Sequence, residues 1–488
     1  MSAFYPIAPG AAGARKTLLV HNARLVDRDL DSPGAILVRD GRIERVFAGN
    51  LPSAGYGSEL DRLHADPGVE AVDARGAVLM PSFVDLHAHF RDPGFTRKED
   101  LVSGSRAACS GGYGTVVLMA NTDPVISTEE AARDVVARVR EAGLIDAFQA
   151  VSLTRGFDGA DVSALASLDR AFVPVATEDG REVASAAVML RAMEACGARG
   201  VIVSCHCEDP ELALAARPCR LAALEAAKSE GLPPGRLAAP GAAPRAVVAR
   251  NIADANRLLS LAEDAMTERN LLLARGAGCH VHIAHASTEG AVAAVRRAKE
   301  AARLAPDGEP FANGDARRAF AVTCEVTPHH LALTDEIPEI VNPPLRSERD
   351  REALIVGILD GTVDAIATDH APHTAEDKAA GAPGFSGIEV SFATVNTALA
   401  KTGRVSLRKL SELMAANPAA ILGLERGLLR VGYEADLVLV DPDAIFTVDP
   451  ESPDWHSRGK NTPLAGKLLT GVVLATFKRG ALVYARGE

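Results

Sequence analysis

The stretch 84–94, VDLHAHFRDPG, decides how the chain is read. It opens as an apolar run and closes on two histidines, a charged pair and a Pro-Gly turn. Successive side chains of a strand point to opposite faces, so Asp85, His87 and His89, spaced two apart, share one face. Two imidazoles on one face can reach one cation. An isolated pair of this kind is more often structural or exposed, so its meaning depends on the rest of the chain.

Seven further runs have the same texture: GTVVLMANT (114–122), DAFQAVSLT (146–154), AFVPVATED (171–179), GVIVSCHCED (200–209), CHVHIAHAST (279–288), FAVTCEVTPHH (320–330) and VDAIATDHAPH (363–373). Each is short, mostly apolar and polar at its end, as a parallel strand buried on both faces should be. Ala-rich helical stretches studded with Arg and Glu separate them. Eight such units predict an α/β fold, a (β/α)8 TIM-like barrel over 81–422, with its catalytic face at the polar strand ends. A doubly wound open sheet would alternate in the same way, but no Gly-rich phosphate fingerprint opens a helix after the first strand.

The flanking segments, 1–80 and 423–488, read as short strands punctuated by turns, for example KTLLVHNARLV and GLLRVGYEADLVLVDPD. They are expected to meet as a small β-sandwich beside the barrel. Two regions disturb the regularity. Residues 208–278 are long for a barrel crossover and contain the break GLPPGRLAAPGAAP; RLAPDGEPFANGDARRAF, 303–320, precedes the seventh strand. Both read as surface elaborations.

Composition sets outer bounds. The 488 residues are 47% hydrophobic, 24% charged and 4% aromatic, enough aliphatic material for a large core. A net charge of −12 argues against nucleic acid and anionic membrane as partners. Seven cysteines, an odd number set in apolar runs, and an N-terminus without an apolar signal core point to the cytoplasm. No apolar run approaches the roughly 20 residues needed to span a bilayer.

The other strand ends change the reading of the two histidines. Asp179 ends the fourth strand, His206 the fifth, His285 the sixth and Asp369 the eighth. With His87 and His89 they make four imidazoles and two carboxylates at one barrel mouth. These donors suit Zn²⁺, and a carboxylate can bridge two ions, so six ligands suffice for a binuclear site open to water. Glu178, next to Asp179, is a rival, since strand alternation turns only one of the two inward. Cys205 and Cys207 alternate away from His206 and read as packed thiols. His280, His282, His329 and His330 read as core or supporting groups, and His370 as structural.

The motifs DLHAHFRDPG, MANTDP, EDG, HCED, HAST, EVTPHHL, VNPPLR, DGTVDAIATDHAPH and PGFSGIE, in this order from about residue 18 to 483, resemble the class I dihydroorotases of the amidohydrolase superfamily. The resemblance implies a zinc enzyme of pyrimidine synthesis, with two Zn²⁺ per subunit, that interconverts N-carbamoyl-L-aspartate and L-dihydroorotate. It places His87 and His89 on one metal and His206 and His285 on the other. Asp179 would bridge the two, and Asp369 would be both ligand and catalytic acid/base. Substrate contacts would come from His89, Arg91, Asn121, Asn342 and His373, with backbone help from Pro383 and Gly384. A small-molecule substrate and a homodimer are expected, and an association with aspartate carbamoyltransferase is compatible with the family.

Two departures stand out: Asp92 and Glu178 occupy positions where Glu and Asp, respectively, are common. The segment 208–278 has no family counterpart over about a third of its length. Hydantoinases, dihydropyrimidinases and allantoinases share the barrel but commonly bridge their metals with a carboxylated lysine on the fourth strand, and AFVPVATEDG has none. A non-catalytic scaffold subunit would have no need of metal ligands, yet all six candidates are present.

Overall fold

A computed structural model describes residues 17–49, 57–232, 237–238, 243–304 and 320–487. The N-terminal stretch 1–16, parts of the Pro/Gly/Ala-rich break and 305–319 lie outside the described residues.

The chain opens with β1 (Thr17–Val26), β2 (Asp31–Arg39), β3 (Arg42–Ala48), β4 (Val69–Asp73) and β5 (Val78–Pro81). Barrel strands follow: β6 (Phe83–Ala88), β7 (Tyr113–Leu118), β8 (Asp146–Gln149), β9 (Val151–Ser152), β10 (Val175–Thr177), β11 (Ile202–Cys205), β12 (His280–Ile283), β13 (Ala321–Val326) and β14 (Ala365–Ile366). The chain closes with β15 (Leu437–Thr447), β16 (Leu468–Lys478) and β17 (Ala481–Ala485).

Both ends of the chain share one hydrogen-bonded sheet, in the order β17-β16-β15-β5-β1-β2-β3. The sheet branches at β1, whose first half pairs with β4 and whose Arg24 and Leu25 pair with β5. Antiparallel pairing of β5 with β15 then joins the two termini. Leu18, Val20 and Ile36 from the first segment share an apolar cluster with Leu437, Leu439 and Phe477 from the last. The alternate residues Leu19 and Leu37 pack with Leu60 of the helix Gly57–Ala65, so the period of two buries both faces here.

The barrel strands run parallel in chain order, β6-β7-β8 and β9 through β14. β8 and β9 are two pieces of one strand on either side of Ala150, which makes eight barrel strands among the described residues. The ring closes where Ala88 bridges His370 and the His89 N–H donates to the His370 carbonyl at 2.8 Å. Both faces are covered: Phe83, Val116, Val203 and Val281 pack with helix residues such as Val135, Met189 and Val292, while Val84, Val117, Val175 and Ile202 form a second cluster. The fourth strand is shorter than AFVPVATED suggests and begins at Val175, after Pro174, which has no N–H to give a ladder. Phe172 lies outside it, under the Arg133 guanidinium at 3.2 Å.

The long crossover is a pair of helices, Pro210–Ser229 and Ala246–Ala277. Asp209 caps the first, accepting from the Glu211 and Leu212 amides, and Gly278 ends the second in the left-handed conformation. Alanines 216, 223, 227 and 255 pack between them with Val248, Ile252 and Leu259, small side chains that let the helices approach closely. No helix among the described residues is long and apolar enough to cross a membrane.

The seam between β6 and β14 has little ladder, and a side chain pins it. The buried Asp85 carboxylate accepts from the Thr368 N–H at 2.9 Å, from the Thr368 hydroxyl and from the His87 N–H at 3.2 Å. Burial pushes this carboxyl up to about 7, against the pull of those donors. Replacing it strands buried donors at about 1–3 kcal/mol each. Asp85→Ala is therefore expected to destabilise the fold by about 3 kcal/mol in urea titrations run with chelator present, and an unchanged midpoint would contradict the seam's dependence on it.

Candidate metal centre

The polar ends of the barrel strands meet at one place. His87 Nε2 lies 3.4 Å from Asp179 Oδ1 and 3.6 Å from Asp369 Oδ1, and His89 Nε2 lies 3.1 Å from Asp369 Oδ1 and 3.5 Å from Asp179 Oδ2. His206 Nδ1 lies 3.2 Å and His285 Nε2 3.6 Å from Asp179 Oδ1, and these two nitrogens are 2.9 Å apart. Asp179 thus turns one oxygen toward His206 and His285 and the other toward His89. All six residues are buried. Two overlapping groups, His87 with His89 and Asp369, and His87 with Asp179 and His285, bring donor atoms close enough together to hold a metal ion.

The tautomers follow from the outer partners. Glu325 Oε1, an acceptor, meets His87 Nδ1 at 3.0 Å, so that nitrogen carries the proton. Asn121 Nδ2 donates to Asp179 Oδ2 at 3.1 Å, which leaves Asn121 Oδ1 to accept from His89 Nδ1 at 2.9 Å. Both Nε2 atoms then meet carboxylate oxygens with a lone pair. Only a proton or a cation between them stabilises such an arrangement. His87 Nε2, His206 Nε2 and His285 Nδ1 have no hydrogen-bond partner despite their burial. His87 Nε2, without a hydrogen-bond partner between the Asp179 and Asp369 carboxylates, together with the His206 and His285 nitrogens that face Asp179, fits a metal centre.

Burial opposes charge on Asp179, but the imidazoles of His87, His206 and His285 hold it well below the usual carboxylate range. Asp369 is likewise held down, against burial, by His89 and His87. Backbone strain accompanies this geometry: Arg91, Cys207, His285 and Asp369 take φ of +57°, +49°, +32° and +46°. Such conformations cost about 1–3 kcal/mol each and persist only where the surroundings impose them. Gly180, at φ +76°, turns the chain after Asp179, and a Cβ there would lie 3.5 Å from Asn121 Nδ2.

Other residues singled out from the sequence fall into place around this cluster. Glu178 is turned away, accepting from the Thr154 N–H at 3.0 Å and from its hydroxyl. Cys205 and Cys207 are buried, with Asn270 Nδ2 3.6 Å from the Cys207 sulfur. His280 and His282 both reach Thr323 Oγ1, and His282 Nε2 lies 3.0 Å from Glu325 Oε2. His330 lies against the Pro343 and Pro344 carbonyls, whereas the buried His329 Nε2 has no partner. His370 lies 3.3 Å from Glu99 and accepts from the Gly387 N–H.

Arg91 is half-buried beside His373, Nη2 to Nε2 at 3.4 Å, and its Nε, which is buried, has no hydrogen-bond partner. Burial brings its guanidinium down to about 10. Lys98 Nζ lies 3.4 Å from His373 Nδ1, and the Pro383 carbonyl 2.9 Å from His373 Nε2. Burial, Arg91, Lys98 and Lys378 bring His373 down to about 2, so it is neutral. Gly384, at φ +133°, packs so closely on Ala371 that a Cβ would come within 2.6 Å. Asn342 Oδ1 accepts from Arg220 Nη1 at 2.5 Å.

Sequence reading missed Glu325, Lys98 and Arg220. Glu325 carried a signal: a lone acid inside the apolar run FAVTCEVT must have partners. Its partners here are His87 and His282, and although burial opposes its charge they hold it down to about 2. A further acidic group, Asp146, Glu434 and Asp436, is neutralised by Arg426, Lys478 and Arg479. Because Glu325 orients a candidate ligand, Glu325→Gln is expected to weaken metal binding about 10–100-fold in chelator competition. Unchanged affinity would refute that role.

Comparison with known proteins agrees with this geometry. Residues 78–483 match the model of the amidohydrolase family. The dihydroorotase of Clostridium botulinum is 37% identical over 471 residues, covering 96% of this chain and all of that one. The dihydroorotase of Caldanaerobacter subterraneus is 38% identical, covering 86% of this chain and 88% of its own. Among solved structures, L-hydantoinase from Arthrobacter aurescens superposes with a TM-score of 0.74 at 24% identity, each chain covered to 97%, which speaks to the fold. Family model, full-length relatives and shared architecture agree: the chain belongs to the amidohydrolase family, alongside the dihydroorotases.

Proposed function

We propose that the chain is a dihydroorotase, closing N-carbamoyl-L-aspartate to L-dihydroorotate and reopening it. The observation that carries this reading is a cationic recess, with Arg91 and Lys98 around a neutral His373, set next to the cluster of four imidazoles and two carboxylates. Both substrates carry a carboxylate, and a half-buried guanidinium with an unspent, buried Nε–H suits it. His87, His89, Asp179 and Asp369 would hold one metal ion, and Asp179, His206 and His285 a second. When bound, such ions supply Lewis acidity to the ring carbonyl and acidify water.

The chain's own residues handle the proton. In ring opening, Asp369, held ionised by His89 and His87, accepts the proton of the attacking water. It then returns that proton to the ring nitrogen as the C–N bond breaks. Ring closure reverses the sequence: the substrate carboxylate takes up one proton from solvent, and Asp369 receives the ureido proton and delivers it to the departing hydroxyl, which leaves as water. Asn121 accepts from His89 Nδ1 and donates to Asp179 Oδ2, so it orients both. Zinc as the metal, two ions per chain, a homodimer, a cytoplasmic setting and any carbamoyltransferase contact rest on the resemblance.

Hydantoinase chemistry is the competing reading, since the superposed structure is of that kind. Asp179 stands where those enzymes commonly place a lysine, and hydantoin has no carboxylate to pair with Arg91. Purified protein is expected to turn over dihydroorotate and to leave hydantoin, dihydrouracil and allantoin untouched; preference for hydantoin would reverse the assignment. Asp369→Asn is expected to retain metal and lose about 10²–10⁴-fold in both directions, the usual worth of a positioned acid/base. Near-wild-type rates would remove Asp369 as the proton carrier.

A further inference from the structure

The long crossover reaches the VNPPLR loop through Arg220. Arg220, on the helix Pro210–Ser229, donates from Nη1 to Asn342 Oδ1 at 2.5 Å and from Nη2 to the Val341 carbonyl at 2.9 Å. Guanidinium has donors only, so the Asn342 atom facing it is the oxygen, and Nδ2 is the atom left to donate elsewhere. Burial brings Arg220 down to about 10, and Glu208, two residues beyond His206, is the anion nearest in effect.

Arg220 does not act alone on this loop. Ile340 is buried among Ala223, Ala227, Val248 and Ile252 of the two crossover helices. Arg346, at the other end of VNPPLR, pairs with the buried Glu263 of the second helix at 2.9 Å and donates to the Asn256 carbonyl and Ser260. Glu263 in turn accepts from the Ser287 and Thr288 amides, which follow His285. An apolar anchor, a bidentate clamp and a buried ion pair thus hold one short loop along its length.

We propose that Arg220 is a positioning residue: it fixes the Asn342 carboxamide with its NH₂ turned to an acceptor oxygen of the substrate. The inference rests on the dihydroorotase reading given above, in which Asn342 contacts substrate. It gives the crossover helices a role in substrate recognition, through residues the sequence reading left as surface elaboration. Arg220 touches no reacting atom, so its loss acts on binding.

Steady-state kinetics of Arg220→Met with dihydroorotate is expected to show KM raised about 10–100-fold, the worth of a hydrogen bond made to a charged group, with kcat nearly unchanged. Arg220→Lys, which keeps one donor, recovers part of the loss. In the Asn342→Ala background, Arg220→Met adds nothing, because both changes remove one contact. A wild-type KM in Arg220→Met, or full multiplication of the two effects, overturns the proposal. Should Arg220→Met fail to fold, Arg220→Gln carries the same comparison. A crystal structure of the variant separates this inference from the reaction itself: the Asn342 carboxamide is expected to turn, and an unmoved carboxamide overturns the role of Arg220 whatever the substrate.

Discussion

The bonds from Asp85 to Thr368 are the constraint on which the site depends. Strand one carries His87 and His89, strand eight carries Asp369, and between them the backbone ladder amounts to one bridge and one amide bond. Without a side-chain pin, ligands 280 positions apart in sequence would have no fixed register. Asp85 supplies it by accepting from both the amide and the hydroxyl of Thr368 while also holding the His87 amide. A second acid, Glu325 on the seventh strand, extends the same logic to the His87 ring and to the amide of His285.

What this architecture concentrates is costly for folding. Asp179, Asp369, Glu325 and Asp85 are four buried carboxyls among buried imidazoles, in surroundings where an unpaired charge is worth several kcal/mol. The cluster is paired within itself, yet its inner imidazole nitrogens face oxygens that cannot donate to them. A fold selected for stability alone would fill the mouth with aliphatic side chains, so conflict with local rules at this one place marks a functional site. The cationic recess repeats the pattern, with Arg91 and Lys98 near a histidine they keep neutral and no carboxylate bonded to the Arg91 Nε.

Much of this was legible in the sequence because a parallel barrel writes its site in a simple form: apolar runs that end in polar residues. His87, His89, Asp179, His206, His285 and Asp369 are all such endings. Strand alternation alone left Glu178 open as a rival to Asp179, because what turns Glu178 away is Thr154, a partner on the neighbouring strand. Arg220 and Lys98 were hidden for a related reason. A basic residue on an amphipathic helix or in a charged turn looks solvated until tertiary packing buries it. The early start expected for strand four failed on Pro174, whose missing N–H a pattern of hydropathy does not register.

The same physics ties the elaborated crossover to the barrel mouth. Its helices grip the loop 340–346 from one side, while the strand-six end bearing His285 is held by Glu263 from the same helix pair. We infer that the convergent imidazoles and carboxylates form a binuclear metal centre. An anomalous-difference map collected at the zinc edge from crystals grown with zinc tests it most directly. Two peaks are predicted, one among His87, His89, Asp179 and Asp369 and one among Asp179, His206 and His285; a map without peaks at this mouth would contradict the account.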